Sequence, residues 1–162
     1  MKSIILFRHC MSIEKLDCDD HSRKLTSGGI FDAKKMGKYL HKIKMVPNLV
    51  ISSTAVRAQT TANTAIISGG WDSFFSTESK IYKGDARYLL DFIKSQKERH
   101  KLICIVGHEP HLSDYIKLAT KKYCNHFAPG SMAKIDYNIK VWTDISINIG
   151  FIDWIIHPKE II

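Results

Sequence analysis

Residues 4–10 read Ile4-Ile5-Leu6-Phe7-Arg8-His9-Cys10, and this stretch decides the fold. A short apolar run without charge is a strand buried on both faces, as in a parallel sheet covered by helices on each side. In open sheets of that kind, ligands gather in the crevice beyond the carboxyl ends of the strands. Arg8 and His9 therefore set a permanent cation beside an imidazole at the edge where chemistry is done. Two further apolar runs repeat the arrangement. Leu49-Val50-Ile51 leads into Ser52–Ala62, which contains Arg57, and Leu102–Val106 leads into Gly107-His108-Glu109-Pro110. If the three strands are parallel neighbours, two guanidiniums and two imidazoles converge on one rim. Chance loop placement would have to account for the same position three times.

The rest of the chain supplies the layers. Strands are expected at 2–7, 48–52, 102–106, 131–137 and 145–156, with a weaker one at 73–77. Thr26 reads as the cap of a helix to about Ile43, with Ile30, Ala33, Gly37, Leu40 and Ile43 on one face. Further helices are expected from Val56 to Ile67, from Asp85 to Arg99, and from His111 or Ser113 to Lys122. Strands alternating with helices argue for an α/β fold, a three-layer α/β/α sandwich with a mostly parallel central sheet. The last two strands have no helix between them, so an antiparallel pair is expected near the C-terminus. The polar segment Met11–Leu25 is long enough to border the rim.

Composition bounds the function. The 162 residues are read as a single domain, residues 1–162, large enough to bury a core without staples. The formal charge of +8 comes from scattered lysines on two helices, without an aromatic-interleaved stripe, so no nucleic-acid partner is expected. No run approaches a membrane span, and Arg8 interrupts the apolar start too early for a signal peptide. Cys10, Cys18, Cys104 and Cys124 show no paired spacing, which suits reduced thiols and a cytoplasmic location.

Four stretches carry a resemblance: Leu6–Met11, Arg23–Gly29 running into the helix to Leu40, Ser52–Ala62, and Val106–Ser113. In this order and spacing they resemble the histidine phosphatase superfamily, most of all the small SixA-type phosphohistidine phosphatases. The resemblance implies a phosphatase whose first histidine, His9, carries the phosphoryl group covalently, with Arg8, Arg57 and His108 holding the phosphate. It implies no metal and no cofactor. The substrate would be a phosphorylated protein, such as a histidine-phosphotransfer domain, or a small phosphorylated molecule. One position departs from the pattern, since Cys10 stands where a glycine or another small residue usually follows the histidine. A thiol fits where alanine fits, but not where the backbone needs positive φ. In the second case the chain would be a weak phosphate-binding or partner-binding module.

The residues suit that chemistry on their own terms. Neutral imidazole attacks phosphorus, and guanidinium forks match the equatorial oxygens. Backbone N–H groups at the start of the helix after Pro110 are a further expected anion contact. No carboxylate announces itself as a general acid. Glu78, Asp85, Asp17, Asp19 and Asp20 each read as solvated or capping groups. A phosphohistidine substrate needs less help of that kind, because imidazole is a far weaker base than an alkoxide. Two rival chemistries fail on spacing. A Cys-x5-Arg phosphate loop would need Arg at Leu16, Lys24, Pro110 or Gly130. A zinc site built from His100, Cys104, His108 and His111 would span about 13 Å of strand between neighbours. Trp71, Trp142 and Trp154 are expected at the edges of the core.

Overall fold

The computed structural model describes residues 1–14 and 17–162; Lys15 and Leu16, inside the loop expected to border the rim, lie outside the described residues. The described residues form one six-stranded sheet between two helical layers. In chain order the strands are β1 (Lys2–Arg8), β2 (Leu49–Ser52), β3 (Phe74–Thr77), β4 (Leu102–Gly107), β5 (Met132–Tyr137) and β6 (Gly150–Ile156). The helices are α1 (Ser27–Lys42), α2 (Val56–Gly69), a single turn α3 (Lys80–Lys83), α4 (Ala86–Lys94) and α5 (His111–Thr120). Across the sheet the order is β3-β2-β4-β1-β5-β6. The β3–β2, β2–β4 and β4–β1 pairs are parallel. The pairs β1–β5 and β5–β6 are antiparallel, so the antiparallel part extends one pairing further than the sequence suggested.

The period-2 pleat divides β1 between two cores. Ile4 and Leu6 join Leu89, Ile93, Leu112 and Ile116 on the α4/α5 face. Ile5 and Phe7 join Ala33, Met36, Leu40, Ala58 and Ala62 on the α1/α2 face. Helices leave β1 and β4 toward opposite faces, so the crevice between these two strand ends is a topological switch point. The register makes it a meeting place: Arg8 pairs with Gly107 and Ser52 with Val106. His9, Ser53 and His108 are therefore the next residues out on three adjacent strands.

The α1 stripe differs from the expected one. Thr26 caps the helix by accepting the Gly29 N–H, and the buried face is Gly29, Ala33, Met36, Gly37 and Leu40. Ile30 is 37% exposed, because the cap turns Gly29 rather than Ile30 toward the body of the protein. A Cβ on Gly29 would run into the Met11 carbonyl, which gives that glycine a packing role. Helix α4 stops at Lys94, five residues short of the expected end, with Ser95 closing it. The turns that follow carry the chain to β4. The final strand starts at Gly150, not Ile145: Ile145 is buried in the core after a 3-10 turn, and Asn148 at φ 62° breaks the extended run. Trp142 is fully buried, contrary to an edge position, and its indole N–H donates to the His100 carbonyl.

Candidate active site

His9, Arg57 and His108 are buried together at the carboxyl ends of β1, β2 and β4, with 7%, 5% and 6% of their surface exposed. The two imidazoles lie 5.2 Å apart between ring centres. Arg57, on the first turn of α2, bridges them. Its Nε donates to His9 Nε2 at 3.3 Å, and its Nη2 lies 3.4 Å from His108 Nδ1. Each ring is fixed from behind by a different kind of group. His9 Nδ1 sits 2.8 Å from the Cys10 carbonyl, which can only accept, so the proton is on Nδ1 and the Nε2 lone pair faces Arg57. His108 Nε2 sits 2.8 Å from Ser53 Oγ. Because a guanidinium only donates, His108 Nδ1 is the acceptor nitrogen and Nε2 carries the proton.

Burial, with Arg57, Arg8 and Arg23 nearby, pushes the His9 pKa down to about 4, against the pull of the Cys10 carbonyl. Burial, then His9, Arg57 and His111, pushes His108 down to about 3. Both rings are thus neutral near pH 7, and Nε2 of His9 is a free base. Arg8 reaches the site from the last residue of β1. Its Nη1 donates to the Phe127 carbonyl at 2.9 Å, while Nε is buried with no hydrogen-bond partner. An orphaned guanidinium N–H beside a cationic cluster marks a place for an anion.

Cys10 does not strain this turn. Non-glycine residues with positive φ are Lys44, Lys121 and Asn148, so nothing at position 10 demands glycine. The thiol is fully buried on the α1/α2 face, its pKa pushed up to about 12 by desolvation. Its N–H donates to Thr61 Oγ1 at 3.0 Å, and Thr61 in turn donates to the Arg57 carbonyl. Thr61 thereby ties the His9 turn to the helix that carries Arg57.

The carboxylates sort themselves clearly. Asp20, from the β1–α1 loop, accepts from Arg57 Nη2 at 3.0 Å, from the Tyr82 hydroxyl at 2.6 Å and from Arg23. Those bonds, Tyr82's first, hold its carboxyl well below the ordinary range, so Asp20 is an anion and not an acid at neutral pH. Asp85 caps α4 through the Tyr88 N–H, Glu78 accepts the Lys80 N–H, and Asp17 is exposed. Glu109 was overlooked in the sequence, although it follows His108 directly. It accepts both the N–H and the hydroxyl of Ser113. The N–H groups of Leu112 and Asp114 bond to the His108 and Pro110 carbonyls. The N–H groups of Leu112, Ser113 and Asp114 are therefore bonded within the chain and are not the anion contact expected there. Tyr82 was also missed, since it sits in no pattern that marks it, and Ser53 stands where many histidine phosphatases have proline, a difference expected to be harmless, yet it holds His108.

A cleft of about 380 Å³ opens over this cluster, lined by Asp20, Arg57, Tyr82, Lys83, His108, Glu109 and His111. Cys104 is buried in the α1/α2 core, and among the described residues no three His, Cys, Asp or Glu side chains are placed to hold a metal ion. No protein-family model matches the sequence, and no curated protein matches it. Solved structures do. The assigned phosphohistidine phosphatase SixA from Nakamurella multipartitia superposes with a TM-score of 0.85 at 20% identity, over 97% of this chain and 96% of that one. The chain has the histidine phosphatase fold. The protein histidine phosphatase SixA in complex with tungstate gives a TM-score of 0.84 at 17% identity, over 98% of each chain. A mycobacterial glucosyl-3-phosphoglycerate phosphatase gives 0.70 at 12% identity, over 94% of this chain and 97% of that one. Within the histidine phosphatase fold, this chain thus superposes better on the small SixA structures than on the sugar-phosphate enzyme. Among the described residues, no helix is long and apolar enough to cross a membrane.

Proposed function

We propose that the chain is a metal-independent phosphatase that works through a covalent phospho-His9, with a phosphohistidine on a protein as its substrate. The observation that carries this reading is the His9 ring. Its proton is committed to the Cys10 carbonyl, and its unprotonated Nε2 accepts from Arg57 Nε in a buried, cationic pocket, a long contact that the arriving phosphate would replace. Such a nitrogen is a nucleophile at neutral pH. A phosphate dianion entering the pocket would take the Arg8 Nε–H and the Arg57 fork, replacing the Asp20 carboxylate on Arg57. The same dianion would reverse the local field at His108 and favour its protonation, giving one more donor to the phosphate oxygens. The phosphoryl group then passes from the substrate to His9 Nε2, and water releases it as inorganic phosphate.

The substrate class rests on two supports. The fold matches SixA structures over 97–98% of the chain, and the two carboxylates that line the cleft among the described residues, Asp20 and Glu109, are both engaged as acceptors. Partners of the histidine-phosphotransfer type, met in a reducing cytoplasm, fit this reading. The test is phosphate release from a phosphohistidine-bearing protein by wild type and His9→Ala, in EDTA and without added metal. Release by wild type alone, with a phosphorylated protein trapped on the way, supports both the reaction and the nucleophile. Equal, negligible release from both overturns the phosphohistidine reading. Turnover of alkyl phosphates as fast as phosphohistidine would move the assignment to a small-molecule phosphomonoesterase.

A further inference from the structure

His111 has no assigned part in this reading, yet it lines the cleft and its Nδ1 is buried with no hydrogen-bond partner. A nitrogen sealed from the cleft cannot meet a ligand there, so any proton this ring trades with a ligand passes through Nε2. In-line transfer fixes where the leaving group would stand. His9, Arg57 and His108 form the buried floor, and attack comes from His9. The leaving group must therefore depart on the far side of phosphorus, toward the more exposed part of the cleft. There it meets Tyr82, Lys83, Glu109 and His111.

The other groups facing this space are poorer proton carriers. The Tyr82 hydroxyl donates to Asp20, which is ionised. Glu109 has both oxygens engaged as acceptors for Ser113. At rest Arg57 spends its donors on Asp20 and the two histidines, and with phosphate bound Arg57 and His108 serve the oxygens of the phosphate on the floor, not the leaving atom on the far side. Lys83 is a strongly hydrated point charge, better suited to attracting a phosphate than to trading a proton. Imidazole is the side chain best able both to give and to take a proton near neutrality.

We propose that His111 is the proton carrier of the cleft, serving the leaving group in the first half-reaction and the attacking water in the second. The proposal deepens the phosphatase reading above and rests on it. As the bond from phosphorus to the leaving atom breaks, that atom keeps the electron pair and His111 supplies a proton. A phosphohistidine substrate takes this proton on the distal ring nitrogen and leaves as neutral imidazole. Water then attacks phospho-His9 from the same open side, the bond from phosphorus to His9 Nε2 breaks, and His111 recovers a proton. The ledger closes with one water consumed and one phosphate released.

The test is His111→Gln, whose amide occupies the place of Nε2 but cannot trade a proton. Wild type and variant are compared in kcat/KM on 4-nitrophenyl phosphate and on phenyl phosphate, whose leaving group is the stronger base. General acid catalysis is worth about 10²–10⁴-fold. The expected result is a loss of about 10²-fold on phenyl phosphate and less than about 3-fold on 4-nitrophenyl phosphate. Equal losses on both, or no loss on either, would overturn the proposal. The 4-nitrophenyl substrate also serves as the control for folding of the variant. His9-dependent phosphate release from the phosphohistidine-bearing protein is the separate check on the phosphatase reading, which fails if wild type releases none, whereas release by wild type with no leaving-group-dependent loss in the variant overturns the role of His111 alone.

Discussion

The His9 turn and the His108 turn start alike and end differently. Both histidines follow neighbouring parallel strands, both are buried, and both are pushed to the neutral form by burial and Arg57. The contrast lies behind the rings. A main-chain carbonyl holds His9 by Nδ1, while a side-chain hydroxyl holds His108 by Nε2. A carbonyl accepts and nothing else, so the His9 tautomer is fixed and Nε2 is always the free base. Ser53 can accept or donate, so His108 is free to change protonation when an anion enters. One residue type thus acquires two chemical characters from its neighbours.

The sharpest way to break that contrast is to remove the bridge between the rings. Arg57→Lys loses the planar fork and the Nε contact to His9, and kcat/KM should fall by about 10²–10³-fold. Steady-state kinetics on a phosphohistidine-bearing protein measures it, and a loss below tenfold would mean that Arg8 alone holds the phosphate. Acid titration probes the shared feature of the two turns. A histidine whose folded pKa lies below its unfolded value near 6.5 adds no penalty above that pH. As pH falls from 6.5 toward 4, the unfolded chain takes up protons that the folded His9 refuses, and stability is lost. His9→Gln should recover stability on the order of 3 kcal/mol at pH 4 relative to pH 7, read by urea unfolding at both values. An unchanged acid slope would show that His9 is not held neutral.

Ser53→Ala addresses the His108 side alone. Its hydroxyl also accepts the Ala55 N–H, so the loss of the anchor should cost roughly tenfold in kcat/KM and leave phosphorylation of His9 detectable. An effect as large as that of Arg57→Lys would erase the distinction between the turns. Cys10→Gly should do least. The Cys10 carbonyl that holds His9 belongs to the backbone, so activity should stay within about 3-fold, while thermal stability drops through a small buried cavity and added chain freedom. A large gain in activity would revive the reading of a pocket disabled by the thiol.

Much of this was legible in residues 4–10, 49–57 and 102–108, because parallel strands with apolar runs announce both their burial and their polar ends. The antiparallel strands β5 and β6 were legible from two neighbouring apolar-rich segments with no helix between them. Boundaries were less so where one buried residue interrupts a pattern, as Ile145 does before β6. The site's second layer was harder to read. Asp20 looked like any loop carboxylate, Tyr82 lies on a four-residue helix, and Ser53 stands in an ordinary Ser-Ser pair.

The sequence alone determined which side chains leave the strand ends, and with them two histidines and two arginines on one rim. Tertiary structure decided which nitrogen of each ring is free, that Asp20 occupies Arg57, that Glu109 caps α5, and that Cys10 is tolerated. The physical reason is that periodicity encodes burial and direction along one element. A hydrogen-bond partner from another element depends on register across the sheet, and a single sequence does not write that in any local pattern.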